Sequence, residues 1–293
     1  MNGRARERLV IDARLRRRTF LTVIRAAREH LVVSIFRSDD RVVWQALTDA
    51  ARRGVRVRVL MTARAHAAGT DLDGLQTWLS GHGVEVHRYA GGMKYHAKYL
   101  VSDRRVALVT TANLTARCFQ RTCDFTLVTR DAPLVAGLRE LFDADWDGRP
   151  ARLTDAQRAR LIVGPDHDPR ARFAAIVNEA RECVRLLDSK LADPHILGLL
   201  EAHRQRGVVV ERARRRDVRP LRRHGKLLIV DRAVAVIGSS ALSARAFECR
   251  RELAVVTRDP RLVAELDLFW RTHVGRRARA GTALAAAPPE ARP

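Results

Sequence analysis

Short runs of β-branched and aliphatic residues, closed by Gly, Asp or Arg turns, punctuate the chain and predict strands. In the first part they fall at about Leu31 to Phe36, Val55 to Met61, Tyr95 to Val101, Val106 to Thr110 and Asp124 to Val128. In the second part they fall at about Val184 to Asp188, Val208 to Arg212, Lys226 to Val230, Ala233 to Ile237 and Glu252 to Val256. Between them, Val42 to Arg52 and Pro194 to Gln205 read as helices. Each part thus reads as strand, helix, strand, hairpin, strand, helix, which implies mixed sheets covered by helices.

The two parts are copies of one unit. His96-Ala-Lys98-Tyr-Leu-Val-Ser-Asp103 recurs as His224-Gly-Lys226-Leu-Leu-Ile-Val-Asp231. The same displacement along the chain relates Asp124 to Glu252 and Thr129-Arg130-Asp131 to Thr257-Arg258-Asp259. Upstream, Arg53-Gly54-Val55-Arg56-Val57 is echoed by Arg206-Gly207-Val208-Val209-Val210. The copies differ in length, because the stretch from Gly54 to His96 is more than twice as long as that from Gly207 to His224. The first holds an extra helical segment, Leu72 to Ser80, and a strand, Val84 to Tyr89; the second has the basic stretch Arg212 to Arg223 instead. The expected division is a basic N-terminal segment (1–18), a first repeat (19–148), a linker (149–169), a second repeat (170–275) and a disordered tail rich in Ala, Arg and Pro (276–293).

Composition narrows the classes. With 293 residues, 46% hydrophobic and 30% charged, the chain is globular. No apolar run approaches the roughly 18 residues that cross a bilayer. The basic start, Met1-Asn2-Gly3-Arg4, is followed only by the short apolar run Leu9-Val10-Ile11, too little for a secretory leader, so a cytoplasmic protein is expected, with peripheral membrane contact left open. Cys118, Cys123, Cys183 and Cys249 show no CxxC spacing and no nearby His cluster that points to zinc; they read as reduced structural thiols. A net charge of +22 draws polyanions: nucleic acid, anionic lipid surfaces or phosphorylated small molecules.

The repeated His and Lys carry the chemistry. Side chains two apart on a strand share a face, so His96 and Lys98 point one way, as do His224 and Lys226. An ammonium holds the anionic oxygens of a phosphate diester while an imidazole attacks or protonates. Two copies let one His act as nucleophile and the other as acid to the leaving oxygen, and neither role needs a metal or cofactor. Only four of 55 basic residues are lysine, Lys94, Lys98, Lys190 and Lys226. At that rate both motif positions would be Lys by chance about five times in a thousand, so the site wants a compact ammonium. Lys190, just past a strand end, reads as a rim residue. Asp103 and Asp231 sit at hairpin turns and read as turn residues.

The doubled HxKxxxxD element resembles the signature of the phospholipase D superfamily, and the resemblance covers roughly Thr19 to Val274. It implies an α/β fold of two pseudo-twofold-related phospholipase D-like halves, each a mixed β-sheet flanked by helices, with both motifs meeting at one cleft, so that a monomer suffices for one site. Six residues after the element the family carries GSxN. The first copy has Thr110-Thr111-Ala112-Asn113, keeping only the Asn; the second has Gly238-Ser239-Ser240-Ala241, keeping Gly-Ser. By resemblance Thr111, Asn113, Ser239 and Ser240 help to hold the phosphate. A carboxylate near the positions of Asp124 and Glu252, each equally far after its own His, orients the imidazole. The implied reaction is a two-step displacement through a phosphohistidine, with His96 as nucleophile and His224 as acid.

Residues alone leave the substrate open between phospholipid at an anionic membrane surface and nucleic acid. The family's commonest activity favours hydrolysis or transfer of lipid head groups. The arginine-rich Arg212 to Arg223 favours a metal-independent nuclease or a catalytically silent nucleic-acid binder. Aromatic residues make up only 5% of the chain, and their absence from that stretch weighs against base stacking as the main mode of recognition.

Overall fold

In the computed structural model the described residues are 6–63 and 71–275; the expected disordered tail lies outside them. The first half runs β1 (Glu7–Val10), α1 (Ala13–Ala26), β2 (His30–Ile35), α2 (Arg41–Arg52), β3 (Arg56–Met61), α3 (Leu72–Ser80), β4 (Glu85–Arg88), β5 (Lys94–Tyr95), β6 (Tyr99–Ser102), β7 (Val106–Thr110), α4 (Ala116–Gln120), β8 (Thr122–Cys123), β9 (Thr126–Thr129) and α5 (Ala132–Asp147). The second runs α6 (Asp155–Arg160), β10 (Leu161–Gly164), α7 (Pro169–Asn178), β11 (Cys183–Leu187), α8 (Pro194–Gln205), β12 (Val209–Arg212), β13 (Arg222–Arg223), β14 (Leu227–Val230), β15 (Val234–Gly238), α9 (Ala244–Glu248), β16 (Arg250–Thr257) and α10 (Pro260–Phe269), closing on a π-helical turn, Trp270–Gly275.

The two sheets share one topology. The first is ordered β1-β9-β7-β6-β2-β3-β4 and the second β10-β16-β15-β14-β11-β12. In both, the central hairpins are antiparallel and the β2–β3 and β11–β12 pairs are parallel, each bridged by a helix crossover. The motif carboxylates fix these hairpins. Asp103 and Asp231 sit at left-handed turns (φ 50° and 49°). Asp103 accepts from the backbone N–H groups of Arg28, Glu29 and His30, and Asp231 from those of Arg181, Glu182 and Cys183. Burial pushes both carboxyls up, but the backbone donors outweigh it and hold them below the usual range. Helix starts repeat as well: Asp131 and Asp259 cap α5 and α10 by accepting from Leu134 N and Arg261 N.

Three apolar clusters hold the layers together. One packs α1, α2 and α3 on the outer face of the first sheet, and a second packs α7 and α8 on the outer face of the other. The third lies between the sheets and joins Tyr95, Phe125, Leu138 and Phe142 to Leu187, Ile229, Leu266 and Trp270. Phe125 meets Phe269 edge-on, centroids 5.2 Å apart. Burying each such side chain contributes about 2 kcal/mol, so joining the halves is a major part of the fold's stability. Arg251, 2% exposed, adds a polar tie by reaching Asp145 (2.8 Å) on α5 and Asp166.

Three expectations change. The basic segment 1–18 is no separate arm from Glu7 onward: β1 pairs antiparallel with β9, and α1 packs on α2. The span 149–169 is no simple linker, because α6 and β10 lie within it and β10 pairs with β16 as β1 does with β9. Finally, residues 96–98 and 224–226 belong to no strand; each lies where the chain passes between two strands, β5 to β6 and β13 to β14.

Candidate active site

That passage between strands builds the site. β5 leaves its own half and pairs with β16 of the other, Lys94 opposite Arg250 and Tyr95 opposite Arg251. In return β13 pairs with β8, Arg222 opposite Thr122 and Arg223 opposite Cys123. The next residue in each case is the motif histidine, and the next opposite it is a carboxylate. His96 Nδ1 therefore meets Glu252 Oε2 at 2.8 Å, and His224 Nδ1 meets Asp124 Oδ1 at 2.7 Å. Each half supplies the carboxylate that orients the other half's histidine. The constant spacing along the chain says which carboxylate follows a histidine, not which one serves it. Gly225 permits the close approach on one side: a Cβ there would lie 2.7 Å from the Cys123 carbonyl.

Each histidine stands beside its own lysine. Lys98 Nζ donates to the His96 carbonyl at 2.6 Å and Lys226 Nζ to the His224 carbonyl at 3.3 Å. The buried ring of Phe36 lies under the first pair, 4.6 Å from the His96 ring and 5.2 Å from Lys98 Nζ. Burial, joined by the charges of Lys98 and Lys226, pushes His96 down to about 3 against the pull of Glu252. Burial likewise holds Lys98 well below its ordinary value. Burial pushes Glu252 and Asp124 up, but their histidines and neighbouring cations outweigh it and keep both carboxyls low. An ionised carboxylate can only accept, so Nδ1 of each histidine donates and Nε2 is the atom left for chemistry.

The two carboxylates are held differently. Asp124 accepts from Thr111 Oγ1 at 2.6 Å and from Thr122 Oγ1, and the buried Arg16 stands 3.9 Å away. Arg16 also donates to the carbonyls of Ile11, Cys118, Thr122 and Asp124. Glu252 has no such setting: its Oε1 is buried with no hydrogen-bond partner, and Arg250 stands 3.9 Å from it.

Of the expected phosphate ligands, Thr111 and Ser239 are otherwise committed. Thr111 serves Asp124 and accepts from Phe125 N (3.0 Å), while Ser239 exchanges hydrogen bonds with the Leu253 backbone. Asn113 and Ser240 fit better. Asn113 Oδ1 and Ser240 Oγ are buried without partners. Asn113 shares a small hollow with Lys98, and Ser240 shares one with Lys226.

Cys118, Asp124 and His224 offer ligand atoms within 4.8 Å of one another, a grouping the cysteine spacing did not reveal. The donors are already engaged, however: the two Asp124 oxygens accept from Thr111, Thr122 and His224, and burial holds the Cys118 thiol up. Sequence reasoning also passed over Arg16, Arg37, Phe36, Lys94 and Arg250. For Lys94 a signal existed, since it is one of four lysines; for the others the signal is tertiary.

Comparison with known proteins adds the relationship. The family described as "Cardiolipin synthase, PLD-like domain" matches residues 20–146 and 158–272. Cardiolipin synthase A of Pseudomonas aeruginosa is 33% identical over 132 residues, 43% of this chain, and the match spans only 26% of that relative. Among solved structures, phosphatidylserine synthase from Haemophilus influenzae superposes with a TM-score of 0.75 at 12% identity, covering 92% of this chain and 86% of that one. Polyphosphate kinase from Porphyromonas gingivalis reaches 0.71 at 20% identity, covering 89% and 46%. At these identities the structural likeness is one of fold.

Proposed function

Because the chain belongs to the phospholipase D superfamily, we propose that it is a phosphodiesterase that hydrolyses or transfers phospholipid head groups through a phosphohistidine intermediate. One observation carries the reading: both histidines are held by ionised carboxylates from the opposite half, beside two buried or half-buried lysines. Lys98 and Lys226 receive the phosphate oxygens, and the arriving charge offsets the burial of Lys98. His96, neutral and with its lone pair on Nε2, attacks phosphorus. The bond to the leaving alcohol breaks, and His224 passes its Nε2 proton to that oxygen. His224 then takes a proton from water or an acceptor alcohol, whose oxygen displaces His96. Asp124, anchored by two threonines, stabilises the imidazolium form that His224 has before the first step and regains in the second.

The test is turnover of soluble short-chain phosphatidylglycerol and phosphatidylcholine in millimolar EDTA, read as head-group release. Release that survives chelation supports the reading. Activity lost on chelation and restored by a divalent ion contradicts the mechanism, and turnover of DNA but neither lipid contradicts the substrate.

A second reading, cleavage of nucleic acid, has its own support in the exposed Arg215, Arg219 and Arg222 near the second motif. Arg223 is less suited, since it is half-buried and donates to the Ala213 carbonyl at 2.6 Å. If DNA is the substrate, changing Arg215, Arg219 and Arg222 to Gln lowers the slope of log affinity against log salt by about 2 to 2.7. Unaltered slope and affinity remove this reading.

A further inference from the structure

The chain has four lysines, and the mechanism uses only Lys98 and Lys226. The Phe36 ring is a hub: Lys94 Nζ lies 4.8 Å from its centroid, the Arg37 guanidinium 4.8 Å and Lys98 Nζ 5.2 Å. Lys94 also stands directly opposite Arg250 across the β5–β16 pairing. Like charges in facing positions destabilise a sheet. Among the described residues no carboxylate pairs with Arg37 or Lys94, and Arg250 has only the 3.9 Å approach to Glu252. The buried arginines, by contrast, are matched, Arg16 to Asp124, Arg58 to Asp143 and Arg251 to Asp145. Both Arg37 Nε and Arg250 Nε are buried without a partner. The equivalent cross-half pair on the other side is Arg222 with Thr122, one cation instead of two. The cross-half strand pair next to His96 thus sets two cations face to face, where the one next to His224 has a single cation.

We propose that Arg37, Lys94 and Arg250 form a second anion subsite beside His96 and Lys98, fitted to a second phosphate group on the substrate. This deepens the head-group reading, since it rests on Lys98 holding the scissile phosphate. The ring distances of 4.8 Å and 5.2 Å keep the ammonium groups of Lys94 and Lys98 no farther apart than their sum, so the phosphates must be joined by a short bridge. A glycerol-bridged bisphosphate, as in an anionic phospholipid carrying two phosphates, meets that requirement. Burial, then the charges of Arg250, Arg37, Lys190 and Arg245, hold Lys94 below its ordinary value, and a bound phosphate relieves both effects.

Titration calorimetry with inorganic phosphate, glycerol 1,3-bisphosphate and thymidine 3′,5′-bisphosphate tests the subsite independently of turnover. The wild-type protein should bind glycerol bisphosphate at least about 10-fold more tightly than phosphate. Lys94→Met and Arg250→Gln should each shrink that ratio to within about 2-fold, whereas Arg104→Gln, an exposed charge at a remote hairpin turn, should leave it intact. Thermal melts separate binding from structure: relief of repulsion should raise Tm of Lys94→Met by up to about 3 °C, where loss of a structural contact lowers it. Equal affinity for phosphate and bisphosphate in the wild type overturns the subsite, as does a ratio that survives both substitutions. Preference for the thymidine over the glycerol bisphosphate keeps the subsite and overturns the lipid reading.

Discussion

The two sides of the cleft are built from the same repeated parts and end in different environments. On the His96 side the imidazole is buried against Phe36, its carboxylate Glu252 keeps one oxygen unpartnered, and cations crowd the approach. On the His224 side the imidazole is half-buried, and Asp124 is gripped by Thr111 and Thr122 with Arg16 behind. A duplicated fold sets each histidine against a carboxylate of the other half, and in the proposed mechanism the surroundings divide the labour. The desolvated, neutral His96 suits nucleophilic attack, and the histidine on the anchored carboxylate suits carrying a proton. Because the partners are exchanged between halves, neither side is a complete site alone.

The largest effect that sharpens this comparison is removal of either histidine. His96→Ala and His224→Ala should each cost at least roughly 10² to 10⁴ in turnover, measured on a short-chain phospholipid. Half the wild-type rate in either variant would indicate two independent sites. With a p-nitrophenyl diester, whose leaving group departs without a proton, His224→Ala should still release a burst of nitrophenol; His96→Ala should not. The next effect concerns the exchange of partners. Glu252→Gln and Asp124→Asn should each lower kcat by roughly 10- to 1,000-fold. In double-mutant cycles Glu252→Gln should be strongly non-additive with His96→Ala, and Asp124→Asn with His224→Ala. Coupling of Asp124 to His96 instead would break the cross-half assignment. A smaller effect is on stability. Folded His96 takes up a proton only near pH 3, whereas an ordinary histidine does so at 6.5, so the unfolded chain binds more protons between these values. This group's contribution is therefore complete above about pH 6.5 and declines as pH falls toward 3. In urea melts, wild type should lose more stability than His96→Gln between about pH 7 and pH 5; equal losses would contradict the burial assigned to His96.

Much of this was legible from residues alone, for reasons that also mark where it stopped. One constant displacement aligned His96, Lys98, Asp124 and Thr129 with His224, Lys226, Glu252 and Thr257, because one backbone path serves both halves. The helix expected over Leu72 to Ser80 is found there as α3, with Asp71 as its cap. The edge strands β1 and β10 were missed because each is a short run outside the stretches that the repeat aligned. The exchange of carboxylates was out of reach altogether. It depends on two-residue strands, β5 and β13, whose pairing partners lie in the other half. No local pattern encodes such a register.

The most direct test of one shared site with divided roles is the phosphoenzyme. The protein is mixed with a p-nitrophenyl phosphodiester radiolabelled at phosphorus, quenched in alkali, where phosphohistidine persists, and the labelled peptide is mapped. We expect at most one phosphoryl group per chain, carried on His96, accumulating in His224→Ala and absent from His96→Ala. Label on His224, or two groups per chain, would contradict a shared site in which His96 is the nucleophile.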